Sequence, residues 1–543
     1  MSAIKREVSY VLISLFLSCS VGFCSPKEPG RPFGKNKKFN VVLIMLHAFP
    51  RNHLGCYGYP ENTSPFIDAL SRDGITFNNA FCPFPFTWAS LPSIYTSLYP
   101  SSHGVIYIYK DRMPDKVYTL AQILRIHGYF TAWFGEKDNP SMGADVGALK
   151  GFGVLKGFDE VNQLKLLQFQ TRRPLVFKGG FDEWRQLRES SEGIPQWIKK
   201  HDKEQFFLTI HSGWPHPMVI PWLRGFDNRF SRRIPREFLE GIDQSYKDGL
   251  RDVQEEVKTN PEFLYRIFGK DWVVRNQEFL LQPYSRFNVL HFSRGDKYKW
   301  HYLCTLLARP VFKFMDRLEG QRLQYYKWLL DSALLEVDKD FVGQVVNTLK
   351  KEGVYDKTMI IVMADHGNEY KEHGHMGHGG FLYDEDLRIP MIFHIPGLSP
   401  GIKIDSIVES VDILPTICDL LGIPIPSQAQ GVSLRRLWEH PGLEGEERYA
   451  ISQCLRDLGA IRTSQWKLIM DKKGLELKEL YDLKKDPGEL HNVISSNPEV
   501  AQKLSKEYIS KIESLPSYQN NKSEFLPEID DQTRKKILQT GYW

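Results

Sequence analysis

Five short runs of the chain are apolar without alternation: 40–46, 129–134, 206–210, 359–364 and 389–395. A strand with one wet face alternates apolar and polar residues, whereas a strand covered on both faces does not. These runs therefore predict a mainly parallel sheet with helices on both sides. Helical spacing fills the intervals. Val117, Leu120, Ala121 and Leu124 recur at one face of a helix, and Gly128 supplies a stop. Leu334, Val337, Phe341, Val345 and Leu349 form a second stripe, closed by Lys350, Lys351 and Gly353. Strands alternating with helices predict an α/β, doubly wound domain over residues 38–400. From Gly401 the elements shorten and turns such as Asp486-Pro487-Gly488 appear, which predicts a smaller α+β subdomain over 401–500 and an extension over 501–543. Residues 221–322 are rich in Arg, Lys, Phe, Tyr and Trp and lack the sheet pattern. They read as a helical insertion, either a lid or a solvated excursion.

The N-terminus carries a different pattern. Lys5 and Arg6 precede an almost unbroken apolar stretch from Val8 to Phe23, and Ser25-Pro26-Lys27 ends it. That is shorter than the roughly 20 residues of a spanning helix and matches a signal peptide over 1–25. The expected location is extracytoplasmic, periplasmic or secreted. Cys19 or Cys24 would serve as a lipid-attachment point.

Composition removes several classes. With 42% hydrophobic and 25% charged residues among 543, the chain supports a packed core and is not wholesale disordered. Seventy Lys+Arg against 66 Asp+Glu leave +4, too balanced for a nucleic-acid footprint. Seven cysteines are too few for a disulfide scaffold. A mean hydropathy of −0.37 excludes a polytopic membrane protein and leaves an N-terminal anchor as the membrane contact.

Polar residues gather where the predicted strands end. His47 follows the first run; Glu136, Lys137 and Asp138 follow the second; His211 and His216 follow the third; Asp365 and His366 follow the fourth. The next loop adds His373, His375 and His378. In an open parallel sheet the ligand crevice lies beyond the carboxyl ends of the strands, so a carboxylate and several imidazoles there point to a metal or anion site. Thr87 opens a segment that reads as a loop entering a helix, where free amides and the helix dipole favour an anion. It is the candidate nucleophile, or simply a helix cap. Pro92 is best tolerated in a first turn, which would move the helix start to Ser90 and make Ser90 a rival for both roles.

The order and wording of the motifs resemble the sulfatase family of the alkaline phosphatase superfamily. His53-Leu54-Gly55-Cys56-Tyr57-Gly58 and Asn62-Thr63-Ser64-Pro65 are similar to its loops after the first strand. So are Thr96-Ser97-Leu98-Tyr99-Pro100 with His103-Gly104-Val105, Asp365-His366-Gly367, Glu372-His373-Gly374 and Gly377-His378-Gly379. In the tail, Val411-Asp412-Ile413-Leu414-Pro415-Thr416 and Glu479-Leu480-Tyr481-Asp482-Leu483 fit as well. The resemblance covers nearly all of residues 40–495 except the insertion.

The departures from the family pattern concern chemistry. Its first metal-binding Asp pair reads His47-Ala48 here, while its later pair survives as Asp365-His366. The position oxidised to formylglycine holds Thr87, and the directing Pro and Arg are absent from Trp88-Ala89-Ser90-Leu91. A threonine cannot give that aldehyde, so no formylglycine is expected. The family's Gly-Lys-x-His reads Gly135-Glu136-Lys137-Asp138, and Pro215-His216-Pro217 keeps its Pro-His.

Two functions are compatible with these changes. Phosphoethanolamine transferases of the same superfamily use a Thr nucleophile beside one zinc, and His47, Thr87, Asp365 and His366 fall at the corresponding places. On that resemblance the chain is an exported hydrolase or transferase of sulfate or phosphate esters. It would use one divalent metal, zinc in preference to calcium, with His216 or His378 contacting the anion or protonating the leaving oxygen. The substrate would be a sulfated or phosphorylated small molecule, glycan or lipid headgroup. The alternative is a degenerate sulfatase-fold protein that binds a glycan or partner without turnover.

Overall fold

The computed structural model describes residues 39–106, 111–136, 160–164, 193–212, 228–262, single positions from 265 to 274, 313–440 and 448–518. The signal-peptide segment, His216, Lys137 and Asp138 lie outside the described residues, as does much of the 221–322 stretch. Among the described residues no helix is long and apolar enough to cross a membrane.

The central sheet has nine strands: β1 (Asn40–Leu46), β2 (Ile75–Phe81), β3 (Phe130–Glu136), β4 (Glu160–Leu164), β5 (Phe206–Ser212), β6 (Thr358–Ala364), β9 (Arg388–Ile389), β10 (Met391–His394) and β11 (Ile402–Glu409). Between β6 and β9 the loop forms a two-stranded ribbon, β7 (Glu369–Tyr370) with β8 (Met376–Gly377). The order across the sheet is β11-β2-β10-β6-β1-β5-β3-β4, with β9 beside β2. From β6 to β4 every neighbour is parallel. All seven residues of β1, β5 and β6 are buried, as unalternating runs require. The run 389–395 does form strand, but β10 is antiparallel to both β6 and β2. The chain leaves β6 at its carboxyl edge and loops through the histidine-rich segment. It re-enters from that same edge, which forces the reversed direction.

Two helices illustrate how sequence shapes the layers. Leu120–Ile126 begins in a capping box between Thr119 and Gln122, and the chain turns away at Gly128 with φ 86°. The 334–349 stripe is buried throughout, but it runs through helix Gly320–Val337, a π-turn at Asp338–Gly343 and helix Gln344–Lys351. The π-turn puts the Asp338 carboxylate against helix Pro65–Arg72, where it accepts from the amides of Phe66 and Ile67 at 2.8 Å each. Its two oxygens thereby cap a helix that has no side-chain cap of its own. In the 221–322 stretch the main described element is helix Arg236–Thr259.

Beyond Gly401, β11 joins the edge of the large sheet, parallel to β2. The separate four-stranded antiparallel sheet starts only at β12 (Ala450–Gln453) and continues with β13 (Leu458–Arg462), β14 (Trp466–Asp471) and β15 (Leu477–Asp482). Helix Pro498–Ser514 covers it through Ala501, Leu504 and Tyr508, which pack on Ile461, Leu468 and Leu480.

Candidate functional site

Topology alone brings three of the sequence candidates together. β6, β1 and β5 are adjacent and parallel, so their carboxyl ends share one edge. The His47 amide donates to Ser212 O at 3.0 Å, locking the end of β1 to β5. Asp365 and His366 follow directly on β6. Gly367 comes next because a Cβ there would lie 2.0 Å from the Glu385 carbonyl. His47, Thr87, His211, Asp365, His366 and His378 are all buried.

Helix Thr87–Thr96 enters this edge from the opposite side. Its first helical residue is Thr87, and the cap position is Phe86 with extended backbone, φ −153°. Neither a capping Thr87 nor a start at Ser90 is observed. The Thr87 hydroxyl is drawn away from the local amides. Oγ1 lies 2.7 Å from Asp365 Oδ2, 2.9 Å from His47 Nε2 and 3.0 Å from His366 Nε2. Ser90 sits one turn further and donates through Oγ to the Asp365 carbonyl, so it braces the site from behind. Pro92 stands inside the helix, whose ten residues are all buried, and packing on every side holds it there.

Hydrogen bonds fix the chemistry of the rings. His366 Nδ1 lies 2.8 Å from Gly367 O, and His378 Nδ1 lies 3.2 Å from Pro85 O. A carbonyl only accepts, so both Nδ1 atoms carry the proton and both Nε2 atoms present a lone pair. Burial holds His366 below the ordinary histidine range, and burial with the neighbouring imidazoles holds His378 well below it. Burial also opposes charge on Asp365. The surrounding imidazoles outweigh it and keep the carboxyl well below the usual carboxylate range. The amides of Ala48 and His366 add donors to Oδ1 at 3.0 and 2.9 Å. Ala48 adopts left-handed backbone, φ 50°, to aim its N–H there.

This arrangement has too many acceptors for one proton. Thr87 Oγ1 carries a single hydrogen but faces a carboxylate oxygen and the bare Nε2 of His366, with His47 Nε2 as a third neighbour. At least one lone pair meets another at about hydrogen-bond distance. A cation among these atoms removes the conflict, and two imidazole nitrogens, a carboxylate and a hydroxyl form a donor set suited to zinc. Two trios of metal-capable groups share His47 here: His47, His366 and His378, and His47, His211 and Asp365. A third, His373 with Glu385 and Glu489, is already engaged. His373 Nε2 meets Gly488 O at 3.0 Å, and Glu489 Oε1 pairs with Lys467 at 2.7 Å.

The candidates that sequence placed at other strand ends fare differently. The side chain of Glu136 at the end of β3, with Lys137, Asp138 and His216, is outside the described residues. His375 is exposed and stacks on Phe381, away from the cluster. His211 is the member that sequence reasoning noted at a strand end and left without a role. The signal was available: its strand neighbours, β1 across the sheet, the strand that ends in His47.

Comparison with known proteins bears on the family and the fold. The sulfatase family model matches residues 39–423, and the model for the C-terminal part of N-sulphoglucosamine sulphohydrolase matches 371–516. Human arylsulfatase K is 30% identical over 511 residues, covering 90% of this chain and 85% of that protein. The N-acetylglucosamine-6-O-sulfatase of Bacteroides thetaiotaomicron is 23% identical over 514 residues, covering 91% and 88%. Among solved structures, a protein bound to its substrate D-glucosamine-2-N,6-O-disulfate superposes with a TM-score of 0.58 at 20% identity, covering 89% of this chain and all of the other. The phosphonate monoester hydrolase of Agrobacterium radiobacter superposes with a TM-score of 0.60 at 20% identity, covering 87% and 95%. These two share the alkaline-phosphatase-like architecture of a mixed central sheet with a smaller antiparallel sheet behind it. With the sulfatase model spanning most of its length and a relative at 30% identity over nine-tenths of it, the chain belongs to the sulfatase family.

Proposed function

We propose that the protein is an exported hydrolase or transferase of sulfate or phosphate esters that uses Thr87 as its nucleophile. One divalent metal belongs to this reading, zinc in preference to calcium, and formylglycine does not. The observation that carries it is the Thr87 hydroxyl, set within 2.7–3.0 Å of Asp365, His47 and His366. Those three side chains would hold the metal, whose charge would lower the hydroxyl pKa and polarise the ester oxygen. Calcium seeks six to eight oxygens, and this set offers two.

The chain's own groups account for the rest. Thr87 at the first residue of its helix sits where the dipole favours a tetrahedral anion. Its Oγ1 attacks sulfur or phosphorus, forms the new bond there and breaks the bond to the leaving oxygen. The hydroxyl proton passes to a neighbouring base. His378 suits the carriage of a proton to the leaving oxygen, because burial keeps the ring neutral at rest and its Nε2 lone pair can take up the proton that Thr87 gives and pass it on. The threonine ester has no second hydroxyl on its carbon to expel the group. Release therefore needs water, or an acceptor alcohol, to attack sulfur or phosphorus and return Oγ1 to Thr87. His216, outside the described residues, is the second candidate for contact with the anion. The relatives' sulfated sugars support a sulfated small molecule or glycan as substrate, with phosphate esters and lipid headgroups as the other arms.

The test is a hydrolysis screen on the purified chain with and without added zinc or calcium. The substrates are an aryl sulfate, a phosphate monoester and a phosphodiester. Near-stoichiometric zinc and turnover of one class, removed in Thr87→Ala, are expected. A metal-free protein inert to all three under every metal leaves the non-catalytic binding role.

A further inference from the structure

His211 has no task in the reaction outlined above, and its surroundings do not explain it as a core residue. It is fully buried, and among the described residues neither ring nitrogen has a hydrogen-bond partner. Leaving a buried polar atom unpaired forfeits its hydration without return. A hydrophobic side chain on β5 would avoid that cost, as Ile210 and Leu208 do at 0% exposure.

The position of the ring offers a reason. His211 Nε2 lies 3.8 Å from Asp365 Oδ2, too far for a hydrogen bond. The same oxygen lies 3.6 Å from His366 Nε2 on its other side. Donors bound to one ion at about 2.0–2.2 Å stand roughly 3–4 Å from one another, so both spacings are those of ligands to a shared metal. The His211 ring lies nearly parallel to that of His47, 12° apart with centroids at 5.7 Å. Nitrogen and oxygen atoms of His47, His211 and Asp365 all fall within 4.8 Å of one another. The sheet itself sets this up, since Met45, two residues before His47, pairs in register with His211.

We propose that His211 Nε2 is a further ligand of the metal held by His47, Asp365 and His366. The shell then takes one donor from the end of each of three adjacent strands, β5, β1 and β6, plus His366. Three imidazoles and one carboxylate select a borderline transition metal and disfavour calcium. The inference rests on the metal site of the functional reading and goes beyond it in naming the donor from β5.

X-ray absorption on the zinc-loaded full chain counts the imidazoles bound to the ion. Three are expected in the wild type and two in His211→Gln. Competition with a chromophoric chelator should show zinc affinity falling at least about tenfold in the variant. A wild-type count of two overturns the proposal. So does a fall in affinity with no change in count, which would make His211 an orienting neighbour of Asp365. If His47→Ala and Asp365→Asn lose zinc while His211→Gln keeps it unchanged, the metal site stands and this ligand falls. If the wild type binds no zinc, both fall. Should His211→Gln not fold, the wild-type count decides alone.

Discussion

Lys467 and Asp365 are both completely buried, and both keep their charge, but by opposite means. Lys467 on β14 lies 2.9 Å from Asp384 and 2.7 Å from Glu489, and Arg462 lies 3.4 Å from Asp384. Two cations there meet two carboxylates. Burial works against each charge, yet Asp384 and Glu489 hold Lys467 protonated, and Lys467 with Arg462 holds Asp384 ionised. At the sheet edge Asp365 meets three imidazoles and a hydroxyl, and no lysine or arginine within ion-pair reach among the described residues. One of those imidazoles, His366, and the nearby His378 keep the proton on Nδ1 and a lone pair on Nε2. A buried charge answered by a charge of the chain is architecture; it fastens the second sheet to the first. A buried carboxylate that meets imidazoles and amides but no cation of the chain is one that a bound cation would balance.

Three experiments separate the two regions. The largest effect is expected from Asp365→Asn, which keeps an acceptor for the amides of Ala48 and His366 but removes the negative charge. Zinc affinity should fall on the order of ten-thousandfold, roughly 5.5 kcal/mol, while the metal-free protein unfolds no more easily. Isothermal titration with denaturant melts of the apo form checks both halves. A variant that retains zinc makes the sheet edge as self-contained as the Lys467 cluster.

Next is Lys467→Met. It leaves Glu489 without its cation and Asp384 with Arg462 alone, and breaking a buried pair in this way costs about 3–5 kcal/mol. Urea unfolding should show that loss, with zinc affinity per folded molecule unchanged. Metal loss in step with Lys467 would mean that the two clusters are coupled through the 365–388 loop.

The smallest effect is a pH dependence that belongs to neither cluster. Burial pushes the His103 ring down to about 3. Its Nδ1 accepts from Val105 N at 3.0 Å, and Nε2 meets Ser93 Oγ at 3.0 Å. The unfolded chain takes up the proton near pH 6.5 and the folded chain does not, so stability is full above that pH and falls as pH drops below it. Between pH 7.5 and pH 5 the loss through this residue is about 2 kcal/mol. Denaturant melts of His103→Gln at the two pH values should lack that increment; an unchanged slope would assign acid sensitivity elsewhere.

Much of this was legible beforehand because burial on two faces erases alternation. β1, β5 and β6 stand out as continuous apolar runs, and the residues just past their ends had to share an edge once the strands were parallel and adjacent. β2 was not legible. Its Asn78 and Asn79 interrupt the apolar run and bond to Asp405 on the neighbouring β11, so polar residues that serve a cross-strand contact hid an inner strand. β11 was hidden similarly, with Lys403 and Asp405 exposed and Ile402 and Ser406 half-buried along its first five residues. The start of the Thr87 helix was misplaced because Pro92 obeys local rules that packing overrides. His211 was visible at a strand end, but nothing in one dimension says that its nitrogens lack partners.

The left-handed turn at Ala48 bears on how readily this centre could be converted. Ala48 and His47 stand where the family resemblance implies an aspartate pair, and aspartate tolerates φ 50° better than alanine does. Installing His47→Asp and Ala48→Asp would therefore ask for no new backbone path at position 48, and on the proposed metal reading it would exchange one imidazole for two carboxylates with the turn between them preset.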